Sequence, residues 1–106
     1  MINLEYKELT PIEAKENLDS NVDIFLVDVR EVEEYNMGHI EGAELIPLGE
    51  VEEAFKDMDL DKDQTIYVYC RSGHRSSIAQ QVITSLGFKE VYNIGGVLQW
   101  PFELVH

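Results

Sequence analysis

The sequence predicts an α/β fold in which helices cover both faces of a central, mainly parallel sheet. Segments with strand character alternate with segments of helical periodicity along the whole chain of 106 residues, and this alternation favours a parallel sheet flanked by helices. Residues 24–27 are apolar without interruption, which is typical of a strand buried on both faces. The sequence contains no internal repeat, low-complexity stretch or linker, so residues 1–106 are expected to form a single domain.

The first elements are a helix with clear start signals and a buried strand. Thr10 can cap the helix, Pro11 suits the first helical position, and Glu13 can complete a capping box. We expect this helix to run to about Leu18. Residues 23–29 then contain the apolar run and predict the first buried strand.

The middle of the chain has weaker patterns. Residues 31–36 suit one or two helical turns, and residues 43–47 suit a short strand. Residues 49–58 are acidic and amphipathic, which predicts a helix. A polar turn is expected at residues 59–63.

The last part of the chain contains the second strong strand pattern. Residues 65–69 are rich in β-branched and aromatic side chains, as in a strand. A helix is expected from about Arg75 to Leu86, because apolar residues recur there at helical spacing. Gly87 stands where a helix commonly ends, and residues 90–94 predict another short strand.

Composition narrows the possible functions. The chain is 44% hydrophobic and 27% charged, and its apolar runs are far shorter than the roughly 20 residues of a membrane-spanning helix. A net charge of −13 argues against nucleic acids and anionic membranes as partners. A single cysteine has no internal disulfide partner, and residues 1–8 have neither a basic start nor an apolar stretch. We therefore expect a cytoplasmic protein.

The acidic residues are unevenly distributed. Residues 1–63 contain 19 acidic and 5 basic residues, a net charge of −14, whereas residues 64–106 contain 2 acidic and 3 basic residues, a net charge of +1. Most of the acids are interpreted as solubilising charges on exposed helices. The part of the chain that contains the only cysteine is therefore not acidic.

The clearest chemical signal follows the strand at residues 65–69. Cys70 ends this strand, and a helix begins a few residues later. Ligands of parallel sheets bind beyond the carboxyl ends of the strands, where a short loop can point its backbone N–H groups at an anion. These groups, the positive end of the helix, Arg71 and Arg75 would all favour a thiolate. We therefore predict that Cys70 is a nucleophile.

Other interpretations of these residues stay open. A free cysteine at a strand end is often a buried packing residue, and His74 is either a residue that meets the ligand or a solvated loop residue. Cys70, His39 and His74 lack a recognised metal-ligand spacing, so no metal site is predicted.

Several motifs in sequence order carry a family resemblance over nearly the whole chain. They are Leu26-Val27-Asp28-Val29-Arg30-Glu31, Gly38-His39-Ile40-Glu41-Gly42-Ala43, Cys70-Arg71-Ser72-Gly73-His74-Arg75-Ser76, and Gly95-Gly96 followed by Trp100. With these motifs the chain resembles the rhodanese-like sulfurtransferases. The resemblance implies a five-stranded parallel sheet with helices on both faces.

The resemblance also implies sulfur transfer through a persulfide on Cys70. The thiolate would attack the sulfane sulfur of a small anionic donor such as thiosulfate, and cyanide, a thiol or a sulfur-accepting partner protein would then remove that sulfur. No cofactor is implied. Carried over by position, the substrate-binding loop would consist of Arg71, Ser72, Gly73, His74 and Arg75.

Two further regions are interpreted with the help of the resemblance. Asp28 and Arg30 follow a predicted strand end and are expected to support the site, either by bracing it or within a purely structural ion-pair network with Glu34. The chain departs from the family pattern after Trp100, where relatives commonly have a longer helix and tail. Pro101 would interrupt a helix at this point.

Two rival functions remain from the sequence. One is a cysteine phosphatase or arsenate reductase: cysteine phosphatases also place a cysteine and an arginine in one anion-binding loop, but with one residue more between the two than separates Cys70 from Arg75. The other rival is a module with the same fold that binds a partner or carries sulfur without catalysing its transfer. The presence of Cys70 and a complete loop argues for the enzyme.

Overall fold

The computed structural model describes residues 6–20 and 22–106. The strands in this part of the chain are β1 (Lys7–Glu8), β2 (Ile24–Asp28), β3 (Glu44–Leu45), β4 (Thr65–Cys70) and β5 (Glu90–Gly96). The α-helices are α1 (Pro11–Asp19), α2 (Val32–Met37), α3 (Val51–Asp57) and α4 (His74–Ser85). Residues 1–5, which belong to the segment where the sequence predicts no targeting signal, lie outside the described residues, as does residue 21.

The strands form one parallel sheet, which confirms the predicted fold class. Their order is β1-β5-β4-β2-β3, and each neighbouring pair runs in the same direction. The carboxyl ends of parallel strands meet at one edge of the sheet. Cys70, the last residue of the central strand β4, therefore lies between the ends of β2 and β5.

Helices pack on both faces of the sheet, as predicted. Successive side chains of β4 point to opposite faces: Val68 and Cys70 belong to a core that includes side chains of α3 and α4, and Tyr67 and Tyr69 belong to a second core that includes side chains of α1 and α2. Close packing on both sides fixes the strand that carries Cys70.

The start of the chain contains an edge strand that the residue pattern does not reveal. Lys7 and Glu8 pair with Tyr92 and Asn93 of β5, although both side chains are charged and exposed. The helix that follows begins as predicted, because the Thr10 hydroxyl accepts the Glu13 N–H at 3.1 Å and the Glu13 carboxylate accepts the Thr10 N–H at 3.0 Å.

The helix predicted at residues 49–58 is shorter than expected. A 3₁₀ turn occupies Leu48–Glu50, and α3 begins only at Val51. The Leu48 N–H donates to the carbonyl of Val29 at 3.0 Å, and the Glu50 N–H donates to Pro47 at 2.8 Å. The first turn of the predicted helix is therefore a 3₁₀ turn, which runs directly into α3.

After β5, the chain returns to pair with the segment between α2 and β3. A 3₁₀ turn at Val97–Gln99 ends before Trp100 and Pro101, in agreement with the expected interruption. Val105 then forms an antiparallel bridge with His39, with two N–H···O bonds of 2.8 Å. Within residues 6–20 and 22–106, no helix combines the length and hydrophobicity that crossing a membrane requires.

Candidate active site

A tight loop joins β4 to α4 directly after Cys70. Residues 71–75, which we call the Cys loop, include the first two residues of α4. Gly73 turns the chain with a φ of +102°, a left-handed conformation that glycine adopts without steric cost. This turn directs backbone N–H groups back towards the sulfur of Cys70.

Hydrogen-bond donors surround that sulfur. The Gly73 N–H donates to Sγ at 3.0 Å, and the Ser76 hydroxyl lies 3.5 Å from it. Burial by itself raises the pKa of the Cys70 thiol, but the Ser76 hydroxyl and the N–H groups of Ser76, Gly73 and Ser72 outweigh burial, so the pKa is lowered from its ordinary value. The arrangement stabilises a thiolate, although Cys70 is only 1% exposed.

The end of β5 packs directly against the backbone of the Cys loop. A side chain at Gly96 would collide with the backbone of Arg71 and Ser72, and the Leu98 N–H donates to the Arg71 carbonyl at 3.1 Å. A Cβ atom at Gly73 would lie 3.6 Å from the Cα of Gly95. The absence of a side chain at Gly96 therefore permits close contact between β5 and the loop.

Two buried polar residues connect β5 to the loop. Asn93 Nδ2 donates to the Gly73 carbonyl at 3.1 Å, and Asn93 Oδ1 accepts the Gly95 N–H at 3.0 Å. Ser76 Oγ lies 2.8 Å from the same oxygen. The sequence did not assign either residue to the site, although an asparagine between Tyr92 and Ile94 in a predicted strand needs hydrogen-bond partners if it is buried, and this was a usable signal.

Arg75 is held by a carboxylate from another element. Its Nη1 and Nη2 atoms bind the two oxygens of Glu34 on α2 at 2.7 and 2.9 Å. This two-point hydrogen bond is the main cause that lowers the pKa of Glu34 to about 2. Because Glu34 neutralises the charge of Arg75, this guanidinium attracts an anion at Cys70 less strongly than the sequence suggests.

The other loop residues form the exposed rim of the loop. The side chains of Arg71, Ser72 and His74 all face solvent. Within the predicted loop, the N–H groups of Ser72 and Gly73 bond the sulfur of Cys70, whereas the side chain of Arg75 binds Glu34. Within the described residues, no group of three or more His, Cys, Asp or Glu side chains could hold a metal ion.

Asp28 and Arg30 form a buried ion pair at the end of β2. Arg30 Nη2 lies 2.7 Å from Asp28 Oδ2 and also donates to the Gly38 carbonyl at 2.7 Å. The pair therefore ties the end of β2 to the residue that follows α2. The sequence suggested an ion-pair network of Asp28 and Arg30 with Glu34. In the structure, Arg30 pairs with Asp28, and the carboxylate of Glu34 binds Arg75 instead.

Known proteins share this sequence pattern and fold. “Putative sulfur carrier protein YrkF” of Bacillus subtilis (strain 168) is 41% identical over 87 residues, which are 81% of this chain and 46% of that protein. Thiosulfate sulfurtransferase PspE of Escherichia coli (strain K12) is 39% identical over 71 residues, which are 67% of this chain and 68% of PspE. A rhodanese-like domain protein from Staphylococcus aureus has a crystal structure that matches with a TM-score of 0.82 and 31% identity, over 93% of this chain and 96% of that chain.

The sequence model of the rhodanese-like domain matches residues 10–101. This range includes the Cys loop and the ends of β2 and β5 that surround it. With the parallel sheet and the cysteine at the end of its central strand, the match shows that this chain belongs to the rhodanese-like domain family.

Proposed function

We propose that this protein is a sulfurtransferase that carries sulfur as a persulfide on Cys70. The thiolate attacks the outer sulfur of thiosulfate or a similar donor, the S–S bond of the donor breaks, and sulfite leaves with the electron pair. Cyanide or a thiolate then attacks the outer sulfur of the persulfide. Thiocyanate or a new persulfide leaves, and the Cys70 thiolate is restored.

The observation that carries this proposal is the set of donors around the sulfur of Cys70. The Gly73 N–H at 3.0 Å and the Ser76 hydroxyl at 3.5 Å hold negative charge on Sγ. A persulfide is also an anion, and we expect the N–H groups of the loop to stabilise its outer sulfur in the same way. The reaction needs no cofactor, and a lone thiol stays reduced in the cytoplasm, where we place the protein.

The names of the relatives support two kinds of reaction partner. PspE is named a thiosulfate sulfurtransferase, which supports thiosulfate as a donor for this chain. YrkF is named a sulfur carrier, which supports delivery of the sulfur to a partner protein. Arg71 and His74 at the exposed rim would contact either kind of partner first.

Steady-state turnover tests the proposal. We expect thiocyanate to form from thiosulfate and cyanide, and we expect Cys70→Ser to abolish it. Aryl phosphate hydrolysis, measured in parallel, should be undetectable, because the short Cys loop suits one sulfur atom better than a phosphoryl group with its three oxygens. Faster hydrolysis of aryl phosphates than transfer of sulfur would replace this proposal with a cysteine phosphatase.

A carrier that does not turn over is the second candidate, and the name of YrkF is the observation that favours it. Such a protein would accept one sulfur from thiosulfate and keep it in the presence of excess cyanide or small thiols. Repeated turnover with small acceptors would support the enzyme. A single sulfur that only a partner protein removes would support the carrier.

A further inference from the structure

We propose that Asn93 is a positioning residue for Cys70: its side-chain amide clamps the Cys loop and competes with the sulfur for the hydroxyl proton of Ser76. The effect of Asn93 on sulfur transfer rests on the proposed function. Its effect on the unreacted thiol does not, because the contacts involved exist in the protein without substrate.

The clamp consists of hydrogen bonds on both sides of the amide group. Nδ2 donates to the carbonyl of Gly73, and Oδ1 accepts the N–H of Gly95. Asn93 is 7% exposed, so water cannot readily replace these bonds. Gly73 is also the residue whose N–H donates to Cys70. An amide fixed at this position therefore holds a donor of the thiolate in place.

The competition follows from the single proton of a hydroxyl group. Ser76 Oγ lies 2.8 Å from Asn93 Oδ1, 3.4 Å from the Gly95 carbonyl and 3.5 Å from Cys70 Sγ. The proton can serve one of these acceptors at a time. The short distance favours Asn93 while Cys70 is a neutral thiol, whereas a thiolate attracts the proton because hydrogen bonds to charged acceptors are stronger.

Asn93 thus opposes the donation by Ser76 while it strengthens the donation by Gly73. The two effects can be separated, because only the first one needs the Ser76 hydroxyl. Removal of Asn93 should therefore destabilise the thiolate more in a protein that also lacks this hydroxyl. In a protein that keeps Ser76, the hydroxyl is free to donate its hydrogen bond to Cys70 and compensates in part.

Charged groups near the site need to stay constant in such a comparison. β5 and the turn that follows place no charged side chain between Val91 and Trp100. The groups on the loop and on the other elements around Cys70 are Arg71, His74, Arg75, Glu34, Asp28 and Arg30. None of them is changed, so their contribution to the ionisation of Cys70 is the same in each variant.

The test is the rate at which iodoacetamide alkylates Cys70, measured against pH in four proteins: the parent, Asn93→Ala, Ser76→Ala and the double variant. We expect Ser76→Ala to slow alkylation on the acidic limb of the profile by roughly tenfold, the loss expected for one hydrogen bond to a charged group. Asn93→Ala should slow it further in the background of Ser76→Ala and less where the serine is kept. The matched control is Asn17→Ala, which removes a 2.9 Å hydrogen bond to Tyr67 and should leave the profile unchanged.

If Asn93→Ala leaves the alkylation profile unchanged both in the parent and in Ser76→Ala, the proposal is overturned. If Asn93→Ala slows alkylation equally in both, the clamp stands and the competition for Ser76 is refuted. A second measurement covers the case in which Asn93→Ala fails to fold. In the parent protein, the side-chain NH₂ resonances of Asn93 should shift with the same pH midpoint as alkylation, and those of Asn17 should not. If the Asn93 resonances do not shift as Cys70 ionises, the proposal is contradicted.

The outcomes also separate this inference from the proposed function. Coupled alkylation profiles in a protein that never accepts sulfur would refute the sulfurtransferase and leave the role of Asn93 intact. Efficient sulfur transfer with uncoupled profiles would refute the role of Asn93 alone.

Discussion

At the scale of single residues, neutral donors do more for Cys70 than the neighbouring cations. The sulfur receives the Gly73 N–H and faces the Ser76 hydroxyl, whereas Arg75 is paired with Glu34. The sequence predicted Cys70 and its loop because those residues are adjacent in the chain. It could not predict the pairing of Arg75, because Glu34 stands 41 positions away and the pattern equally allowed a pair with Arg30.

The ion pair of Glu34 makes a prediction about stability and pH. The pKa of Glu34 is about 2 in the folded protein, chiefly because of the hydrogen bond from Arg75, against an ordinary value of 4.5. The folded pKa is the lower one, so the stabilisation is fully present above about pH 4.5 and is lost as the pH falls towards 2. Glu34→Gln should therefore be less stable than the parent at neutral pH and lose less stability over this acidic range.

Urea unfolding at a series of pH values measures the difference. Glu33→Gln is the matched control, because Glu33 is exposed on the same helix, and we expect it to follow the parent. Parallel stability curves for the parent and Glu34→Gln would show that the ion pair has no net effect.

At the scale of elements, the end of β5 positions the Cys loop through a close backbone contact. Gly96 has an extended backbone, with φ of −149°, so the lack of space for a side chain, rather than its conformation, requires glycine. A methyl group there would overlap the backbone of Arg71 and Ser72. The contact explains the glycine at position 96, whereas Gly95 has a left-handed φ of +93° that favours glycine.

Gly96→Ala should displace the Cys loop and destabilise the protein by about 1–3 kcal/mol, the usual range for overpacking. Sulfur transfer should fall more steeply than stability, because the displaced backbone holds the donors around Cys70. Gly49→Ala is the control: a Cβ atom there meets nothing within 4 Å, and we expect little change. Urea unfolding and thiocyanate formation test both variants, and a fully active Gly96→Ala protein would contradict the account.

The elements that the sequence predicted well are those with their own local signals. The capping box of α1 and the apolar runs of β2 and β4 are encoded within each segment. β1 is encoded elsewhere: Lys7 and Glu8 become a strand because β5 offers them a free edge. The bridge between His39 and Val105 is likewise a long-range contact that no local pattern shows.

At the scale of the whole molecule, the acidic residues are concentrated in the first part of the chain, although the fold brings Glu34 of that part to Arg75 of the Cys loop. Residues 1–63 carry a net charge of −14, whereas residues 64–106, which form β4, the Cys loop, α4 and β5, carry +1. An anionic donor such as thiosulfate is repelled by the net charge of the molecule, whereas the exposed Arg71 beside Cys70 attracts it locally.

Salt should therefore leave the second-order rate constant for thiosulfate unchanged or raise it. Ions screen the distant acids more than the close contacts, since the Debye length is ~10 Å at 0.1 M salt. Stopped-flow measurements over a series of ionic strengths check this prediction. A steep fall in the rate constant with added salt would mean that long-range attraction dominates, contrary to a net charge of −13.

The central claim is that Cys70 itself carries the transferred sulfur, and intact-mass spectrometry tests it most directly. After incubation with thiosulfate, the parent protein should gain the mass of one sulfur atom, and a chase with cyanide or a thiol should remove it. Cys70→Ser, treated identically, should gain nothing. A parent protein that gains no sulfur, or a Cys70→Ser protein that gains as much as the parent, would contradict the account.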